Sequence, residues 1–316
     1  MHRIAVLDDY QHVAAGFAPW AELDGRAEVV FFHDTLSSED ALVERLAAFD
    51  VICAMRERTP FPASLIERLP NLKLLVTTAM HNASIDFEAA RTHGVQVCGT
   101  NSVGHSTAEL AFALVLQLAR NLAGETASLA SGGWQMGVGR DLHGARLGIV
   151  GLGRLGSLMA GYGRAFGMEV VAWSANLTDD KAAEKGARRL SKEDLFASSD
   201  FISVHMRLSA RTEGLVGRAE FDLMQPDAYL INTSRSAIID QDALIDALTQ
   251  KRIAGAALDV FDIEPLPPEH PLRNVPNLLL TPHIGYVTRD TYRVFYGETL
   301  EAIQGWLDGK PVRIIV

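Results

Sequence analysis

The stretch Leu147 to Gly156, LGIVGLGRLG, restricts the possible folds of this chain more than any other. Its apolar first half is typical of a buried strand, and its glycines follow in the spacing G-x-G-x-x-G that opens a helix. These glycines are Gly151, Gly153 and Gly156. They permit a tight turn, a close approach of the backbone to a pyrophosphate and close packing of helix on strand, while the helix N-terminus presents N–H groups to the anion. Because a helix-like run (155 to 166) and another strand (169 to 173) follow, the pattern predicts a dinucleotide-binding domain.

Strand-like and helix-like runs alternate on both sides of this turn. Such alternation predicts an α/β fold with two doubly wound parallel sheets, of the Rossmann and flavodoxin-like kind. A long helix from Ser106 crosses into the second domain, and a final helix, about Thr288 to Leu307, has no evident partner other than the first sheet. We therefore expect a cofactor domain, 106–285, inserted into a substrate-binding domain of 1–105 and 286–316.

Charge and cysteine content exclude several classes of protein. The chain has 29 Lys and Arg against 39 Asp and Glu and no basic run, so nucleic acid is not expected as a partner. Cys53 and Cys98 lie in apolar contexts without metal-ligand spacing, which indicates buried thiols in a reducing compartment and no metal site. The longest apolar stretch, Leu110 to Ala119, is too short to cross a bilayer, and no signal peptide precedes the first strand. We therefore expect a cytoplasmic protein without a membrane partner.

Polar residues follow three strands of the second half, at the edge where open α/β sheets bind their ligands. They are Asn232 to Arg235, Asp259 to Pro265 and Thr281 to Gly285. Each has an ordinary structural interpretation: a solvated arginine, a Glu-Pro turn, a histidine bonded to a backbone carbonyl. Together, behind a dinucleotide-binding turn, they suit hydride transfer to a carbonyl group. That reaction needs a proton donor such as histidine, a carboxylate to orient it and a cation for an oxyanionic substrate.

Five motifs, in this order, resemble those of the D-isomer-specific 2-hydroxyacid dehydrogenases, which use NAD or NADP. They are GLGRLG (151–156), SVHMRLSARTEGLVG (203–217), LINTSRSAIIDQDAL (230–244), ALDVFDIEPLP (257–267) and TPHIG (281–285). The resemblance covers essentially the whole chain. It implies that His283 is the general acid and base, that Glu264 is its partner, and that Arg235 binds the carboxylate and carbonyl oxygen of the substrate.

The resemblance also implies a cofactor site and a substrate loop. Asp259 would hold the nicotinamide carboxamide, and the backbone around Arg154 and Leu155 would hold the pyrophosphate. Other residues expected at the cofactor are Gly151, Gly153, Gly156, Ser174, His205, Arg207, Thr233, Ser234 and Gly285. In the first domain, the loop TTAMHNASID (77–86) would present backbone N–H groups to the substrate carboxylate. Its residues expected at the substrate are Ala79, Met80, His81 and Asn82.

Three departures from the usual family pattern bear on cofactor and substrate. Ser174 follows the second cofactor-domain strand where an Asp is usual, Arg207 replaces a common Pro, and two common glycines are replaced by Ala79 and His81. A carboxylate about 20 residues past the glycine-rich turn accepts hydrogen bonds from the 2′-OH of NAD and repels the 2′-phosphate of NADP. The loop 173–176 contains none, so we expect NADP to be used. A serine bonded to the ribose would also suit NAD.

The expected reaction is the reduction of a small 2-oxo acid, such as glyoxylate or hydroxypyruvate, to the D-2-hydroxy acid, and the reverse oxidation. The alternative is a nicotinamide-sensing regulator, similar to the corepressors related to this family, because fold alone does not imply function. The presence of Arg235, Glu264 and His283 favours the enzyme. The resemblance further implies a homodimer formed through the cofactor domain. The apolar run 110–118 and the glycine-rich excursion 124–139 fit such an interface, and burial within one subunit explains the apolar run equally well.

Overall fold

The computed structural model describes all 316 residues, which form two compact units. The first unit contains Met1–Val103 and Thr288–Val316, and the second contains Gly104–Val287. The boundaries expected from the sequence lie two residues away at each crossing. Each unit has one parallel sheet with helices packed on it, which confirms the predicted α/β class.

The strands and helices are numbered along the chain. The strands are β1 (His2–Val6), β2 (Ala27–Phe31), β3 (Val51–Ala54), β4 (Leu74–Thr77), β5 (Gln96–Gly99), β6 (Arg146–Val150), β7 (Glu169–Trp173), β8 (Arg188–Arg189), β9 (Phe201–Val204), β10 (Tyr229–Asn232), β11 (Gly255–Leu258) and β12 (Leu278–Leu280). The helices are α1 (Ala14–Phe17), α2 (Glu39–Leu46), α3 (Ala63–Ile66), α4 (Phe87–Thr92), α5 (Ser106–Arg120), α6 (Leu122–Ala130), α7 (Arg154–Ala165), α8 (Asp179–Glu184), α9 (Lys192–Ser198), α10 (Arg218–Leu223), α11 (Gln241–Thr249) and α12 (Arg289–Leu307).

The first unit has the strand order β2-β1-β3-β4-β5, and every neighbouring pair is parallel. Strands β3 and β4 are buried along their whole length, as expected for a parallel sheet covered by helices on both faces. The final helix, α12, packs against β4 and β5. The order of the strands reverses between β1 and β3, and ligands of such sheets bind at this switch point, outside the carboxyl ends of the strands.

The second unit has the order β12-β11-β10-β9-β6-β7-β8. Its switch point lies between β6 and β9, and the glycine-rich turn follows β6 directly. The apolar run of α5 is buried within this unit, where it packs with residues of β6, α7 and β7. The sheet therefore places the glycine-rich turn at the position that binds ligands in doubly wound folds.

The region 124–144, expected to be an irregular excursion, is helical in its first part. Asn121 adopts a left-handed conformation (φ 46°), which ends α5 and starts α6 directly after it. Residues such as Leu122, Ala123 and Glu125 then favour a helix despite Gly124. None of the helices of the structure combines the length and the apolar character that crossing a bilayer requires.

Candidate active site

The turn after β6 has the geometry of a pyrophosphate-binding turn. Gly151 has a φ of 100°, and a Cβ atom on it would lie 2.6 Å from the carbonyl oxygen of His205. A Cβ on Gly156 would lie 2.1 Å from the carbonyl oxygen of Gly151, so α7 can approach β6 this closely only with glycine there. Gly153 faces open space, and α7 begins after it without a side-chain cap. The unbonded N–H groups at the start of α7 thus fit the pyrophosphate of a dinucleotide.

The residues that follow β9 and β10 carry two buried polar atoms without a hydrogen-bond partner. His205, after β9, pairs its Nε2 with the hydroxyl of Ser203 at 2.8 Å, while its buried Nδ1 has no partner. Burial lowers the pKa of His205 to about 4, so its imidazole is neutral at pH 7. The buried Oγ1 of Thr233, which follows β10, likewise has no hydrogen-bond partner. Because buried polar groups normally have partners, these atoms fit hydrogen bonds to a cofactor group.

Asp259, after β11, fixes the turn that carries His283. Its Oδ1 accepts hydrogen bonds from the hydroxyl of Thr281 (2.6 Å) and the N–H of Ile284 (2.8 Å), and its Oδ2 accepts one from the N–H of Gly285 (2.8 Å). Burial raises the pKa of Asp259, and these hydrogen bonds oppose that rise. The structure therefore gives Asp259 a positioning role, while its contact with nicotinamide stays a prediction.

His283 and Glu264 form a hydrogen-bonded acid–base pair. The Nδ1 of His283 lies 2.5 Å from Oε2 of Glu264, whose Oε1 accepts the N–H of Phe261 at 2.9 Å. The ring of Tyr286 packs against the imidazole edge to face, with 5.5 Å between ring centroids. His283 has a φ of 51°, an uncommon conformation for a residue with a side chain, and such residues are concentrated at functional sites. With Nδ1–H held by the carboxylate, Nε2 is the atom that can exchange a proton with a substrate.

The Asn232 side chain shapes the turn that carries Arg235. Its Oδ1 accepts the N–H of Ser234 and its Nδ2 donates to the carbonyl oxygen of Arg235, each at 2.9 Å. The hydroxyl of Ser234 donates to the carbonyl oxygen of Val204 (2.7 Å), which ties this turn to the end of β9. The guanidinium of Arg235 donates to the carbonyl oxygen of Ser234 at 2.7 Å. These bonds hold a partly buried cation at the carboxyl edge of the second sheet.

Ser174 and Arg207 follow the two strands that flank β6. Ser174 is half-buried at the end of β7, and its carbonyl oxygen accepts the N–H of Leu177 in a turn. Arg207 is exposed after β9 and makes no ion pair. Thr178 caps α8 by accepting the N–H of Lys181 at 3.3 Å, which leaves its O–H group able to donate. The turn from Ser174 to Thr178 presents no carboxylate.

The loop after β4 in the first unit is held in an unusual backbone conformation. Ala79 has a φ of 70°, a region that glycine adopts easily and alanine only at a cost of about 1–2 kcal/mol. Its N–H donates to the hydroxyl of Thr100 at 2.8 Å. Met80 and His81 are exposed, and their N–H groups make no hydrogen bond within the chain. These two N–H groups are the ones that the loop can offer to an anion.

Asn82 was expected at the substrate, and the structure assigns its side chain to the loop itself. It is fully buried, its Nδ2 donates to the carbonyl oxygen of Arg56 (2.7 Å) and the hydroxyl of Thr77 (2.9 Å), and its Oδ1 accepts the N–H of Ser84 (2.9 Å). Both hydrogens of the amide are thereby engaged. A short polar side chain in a loop can close the loop in this way, and a contact of Asn82 with the substrate stays a prediction.

Sequence reasoning missed Arg56, which follows β3 at the switch point of the first sheet. Its φ is 54°, its guanidinium donates to the carbonyl oxygen of Thr78 (3.2 Å), and its side chain is 20% exposed. A half-buried cation, which pairs with the carboxylate of Glu57 at 3.5 Å, thus lies beside the loop of Met80 and His81. The signal was available, because an arginine directly after a buried strand lies at the same sheet edge as the next loop.

Comparison with known proteins agrees with this geometry. The model of the family described as "D-isomer specific 2-hydroxyacid dehydrogenase, NAD binding domain" matches residues 112–285. Glyoxylate reductase of Thermococcus litoralis is 41% identical over 236 residues, 72% of this chain and 71% of that protein. Hydroxypyruvate reductase of Blautia hydrogenotrophica is 27% identical over 99% of both chains.

A solved structure extends the likeness to the whole fold. The phosphoglycerate oxidoreductase of Vibrio cholerae superposes with a TM-score of 0.92 at 35% identity, covering 98% of this chain and 100% of that one. Family model, sequence relatives and fold agree with a dinucleotide-binding turn after β6. The chain therefore belongs to the D-isomer-specific 2-hydroxyacid dehydrogenases, oxidoreductases that act on CH–OH donors with a nicotinamide cofactor.

Proposed function

We propose that this enzyme reduces a small 2-oxo acid of the glyoxylate or hydroxypyruvate type to the D-2-hydroxy acid, and catalyses the reverse oxidation. The observation that carries the proposal is the His283–Glu264 pair, which leaves the imidazole Nε2 available for a proton at the ligand-binding edge of the cofactor unit. The names of the glyoxylate and hydroxypyruvate reductases among the relatives support the choice of substrate class.

Each of the candidate side chains has a separate role in carbonyl reduction. The bound nicotinamide supplies the hydride, or accepts it in the reverse direction. His283 donates the proton from Nε2 to the carbonyl oxygen as that oxygen becomes a hydroxyl group. Glu264 keeps Nδ1–H oriented, and Arg235 polarises the carbonyl and binds the carboxylate. Oxidation uses the same groups in reverse, with Nε2 accepting the proton.

The first unit is proposed as the substrate-binding domain and the second as the cofactor domain. In the first, the N–H groups of Met80 and His81 would bind the carboxylate. In the second, the start of α7 would bind the pyrophosphate.

Two buried unpaired thiols, Cys53 and Cys98, support a reducing compartment, and we propose the cytoplasm.

The direct test is a panel of 2-oxo acids offered with NADPH and NADH, with consumption of the reduced cofactor followed by absorbance. Glyoxylate and hydroxypyruvate are expected to be reduced, and the hydroxypyruvate product is expected to have the D configuration. Phenylpyruvate serves as a bulky comparison. Cofactor binding without turnover of any 2-oxo acid would contradict the proposal and favour a sensing role.

We further propose NADPH as the preferred cofactor, because the turn after β7 has no carboxylate to repel a 2′-phosphate. The exposed guanidinium of Arg207 and the hydroxyl of Ser174 follow the two strands that flank β6, and each can donate to that phosphate. Ser174→Asp is expected to move the ratio of kcat/KM for NADPH and NADH toward NADH by about a hundredfold, since a like charge beside the phosphate costs several kcal/mol. Arg207→Gln should raise KM for NADPH and leave KM for NADH unchanged. A hundredfold preference of the unmodified enzyme for NADH would reject the proposal.

A homodimer formed through the second unit is also proposed. Five large apolar side chains are exposed close together in the sequence: Leu122, Leu129, Trp134, Met136 and Val138. A cavity of about 480 Å³ adjoins this segment, at the amino ends of β10, β11 and β12, the edge opposite the candidate active site. Exposed large apolar side chains mark protein interfaces when they cluster, and we infer that a second copy covers this segment.

Light scattering should therefore give twice the chain mass of 34.4 kDa. Replacing Trp134 and Met136 by glutamate should halve that mass, because charges would be buried without partners. Replacing the exposed Leu223, which lies outside this segment, by glutamate should not change it. A monomeric unmodified protein would overturn the proposal.

A further inference from the structure

The loop of Ala79 is supported by a short platform at the end of β5. The platform consists of Gly99 and Thr100, and Thr100 is fully buried. Its hydroxyl accepts the N–H of Ala79 at 2.8 Å and donates to the carbonyl oxygen of Asn101 at 2.9 Å. Gly99 lies so close beneath the loop that a Cβ atom on it would be 2.8 Å from the carbonyl oxygen of Ala79 and 2.9 Å from the sulfur of Met80.

The platform is itself anchored to the end of the chain. Asn101 donates from its N–H (2.6 Å) and from its Nδ2 (3.0 Å) to the two carboxylate oxygens of Glu298 on α12. Arg313 donates to the carbonyl oxygens of Gly99 (3.2 Å) and Glu298 (2.7 Å). The N–H of Gly99 donates to the carbonyl oxygen of Arg313 at 2.9 Å. These hydrogen bonds therefore fix the platform on the side away from the loop.

The conformation of Ala79 needs such support. A residue with a side chain persists at positive φ only when its surroundings hold it there. Without the hydroxyl of Thr100, the N–H of Ala79 would lose its acceptor, and rotation to a negative φ would become favourable. That rotation would turn the adjoining peptide groups of Met80 and His81, which carry the two unengaged N–H groups of the loop.

We propose that Thr100 is a positioning residue for substrate binding: its hydroxyl holds Ala79 in the left-handed conformation and thereby aims the N–H groups of Met80 and His81 at the carboxylate of the substrate. The role of these N–H groups rests on the proposed function. The hold on Ala79 by Thr100 is a property of the unliganded chain and can be measured without any substrate. Thr100 acts through the loop, by its hydrogen bond to the N–H of Ala79.

Thr100→Val tests the proposal, because valine keeps the shape of threonine and removes the acceptor. KM for the 2-oxo acid is expected to rise about tenfold, the effect of losing one hydrogen bond, while the dissociation constant of NADPH stays unchanged. Thr100→Ser should restore the unmodified KM. Ala79→Gly added to Thr100→Val should recover part of the loss, because glycine adopts a φ of 70° without strain. Thr299→Val removes another buried threonine hydroxyl of the same unit and should leave KM unchanged.

Hydrogen–deuterium exchange separates this proposal from the proposed function. In the unliganded protein, the peptide containing Ala79 should exchange about tenfold faster in Thr100→Val than in the unmodified protein or in Thr100→Ser. Unchanged exchange in Thr100→Val overturns the positioning role whatever the enzyme reduces. Faster exchange with an unchanged KM shows that Thr100 holds the loop but that the loop does not bind the carboxylate, which also overturns the proposal.

Discussion

His283→Ala is expected to lower kcat for 2-oxo acid reduction by about 10²–10⁴-fold, the usual contribution of general acid catalysis. The proton is needed only in the transition state, so the loss should appear in kcat, and NADPH binding measured by fluorescence titration should be nearly unchanged. The hydrogen bonds of Asp259 that hold the 281–285 turn involve backbone N–H groups and Thr281, and these remain in the variant.

A histidine of the same unit provides the control for this variant. His143 is exposed and lies outside the candidate site, so His143→Ala should keep the kcat of the unmodified enzyme. If His283→Ala retained that kcat as well, the proton would have to come from another group, and the assignment of the acid–base pair would be wrong.

Arg235→Lys should lower kcat/KM for the 2-oxo acid by at least about 10²-fold although the charge is kept. The guanidinium is a planar fork that can hold two substrate oxygens, whereas an ammonium group is a single point of charge on a flexible chain. The turn of Asn232 and Ser234 places the Arg235 backbone for that fork. Both a higher KM and a lower kcat are expected from steady-state kinetics.

Arg218→Lys is the matched comparison, because Arg218 is exposed on the same unit and pairs with Asp246 at 2.7 Å on the surface. Its kinetics should equal those of the unmodified enzyme. Near-normal kinetics for Arg235→Lys would instead show that any cation at this turn suffices, and bidentate binding of the substrate would have to be abandoned.

The second unit was more predictable from the sequence than the first, for a physical reason. Its glycine-rich turn depends on local backbone geometry, so one short segment with the spacing of Gly151, Gly153 and Gly156 is enough to predict it. The bounds predicted for β7, 169–173, agree with the structure because its apolar run ends where the strand ends. The two-residue strand β8 was not predicted, since both of its residues are charged and exposed.

The substrate loop was predicted as a segment, but the partners of its residues were not. The positions of Asn82 and Arg56 depend on contacts between β3, β4 and β5, which are far apart in the sequence. The same holds for Thr100, which meets Ala79 only after β5 has paired with β4. Periodicity and motif spacing carry no information about contacts between residues that are far apart in the sequence.

The division of the first unit into two chain segments has a consequence for biosynthesis. Val97 in β5 is bonded through its N–H and its carbonyl oxygen to the last residues of the chain, Val316 and Ile315, and α12 packs on the same sheet. A ribosome delivers these segments only after the entire second unit has been made. The second unit can fold as soon as its own chain has emerged, because domains generally fold as units during synthesis. Until then, the incomplete first sheet has an unpaired β5 edge, and the face on which α12 later packs is uncovered. Unpaired sheet edges of this kind favour aggregation. We therefore expect the nascent chain, rather than the finished enzyme, to be the form most dependent on chaperones.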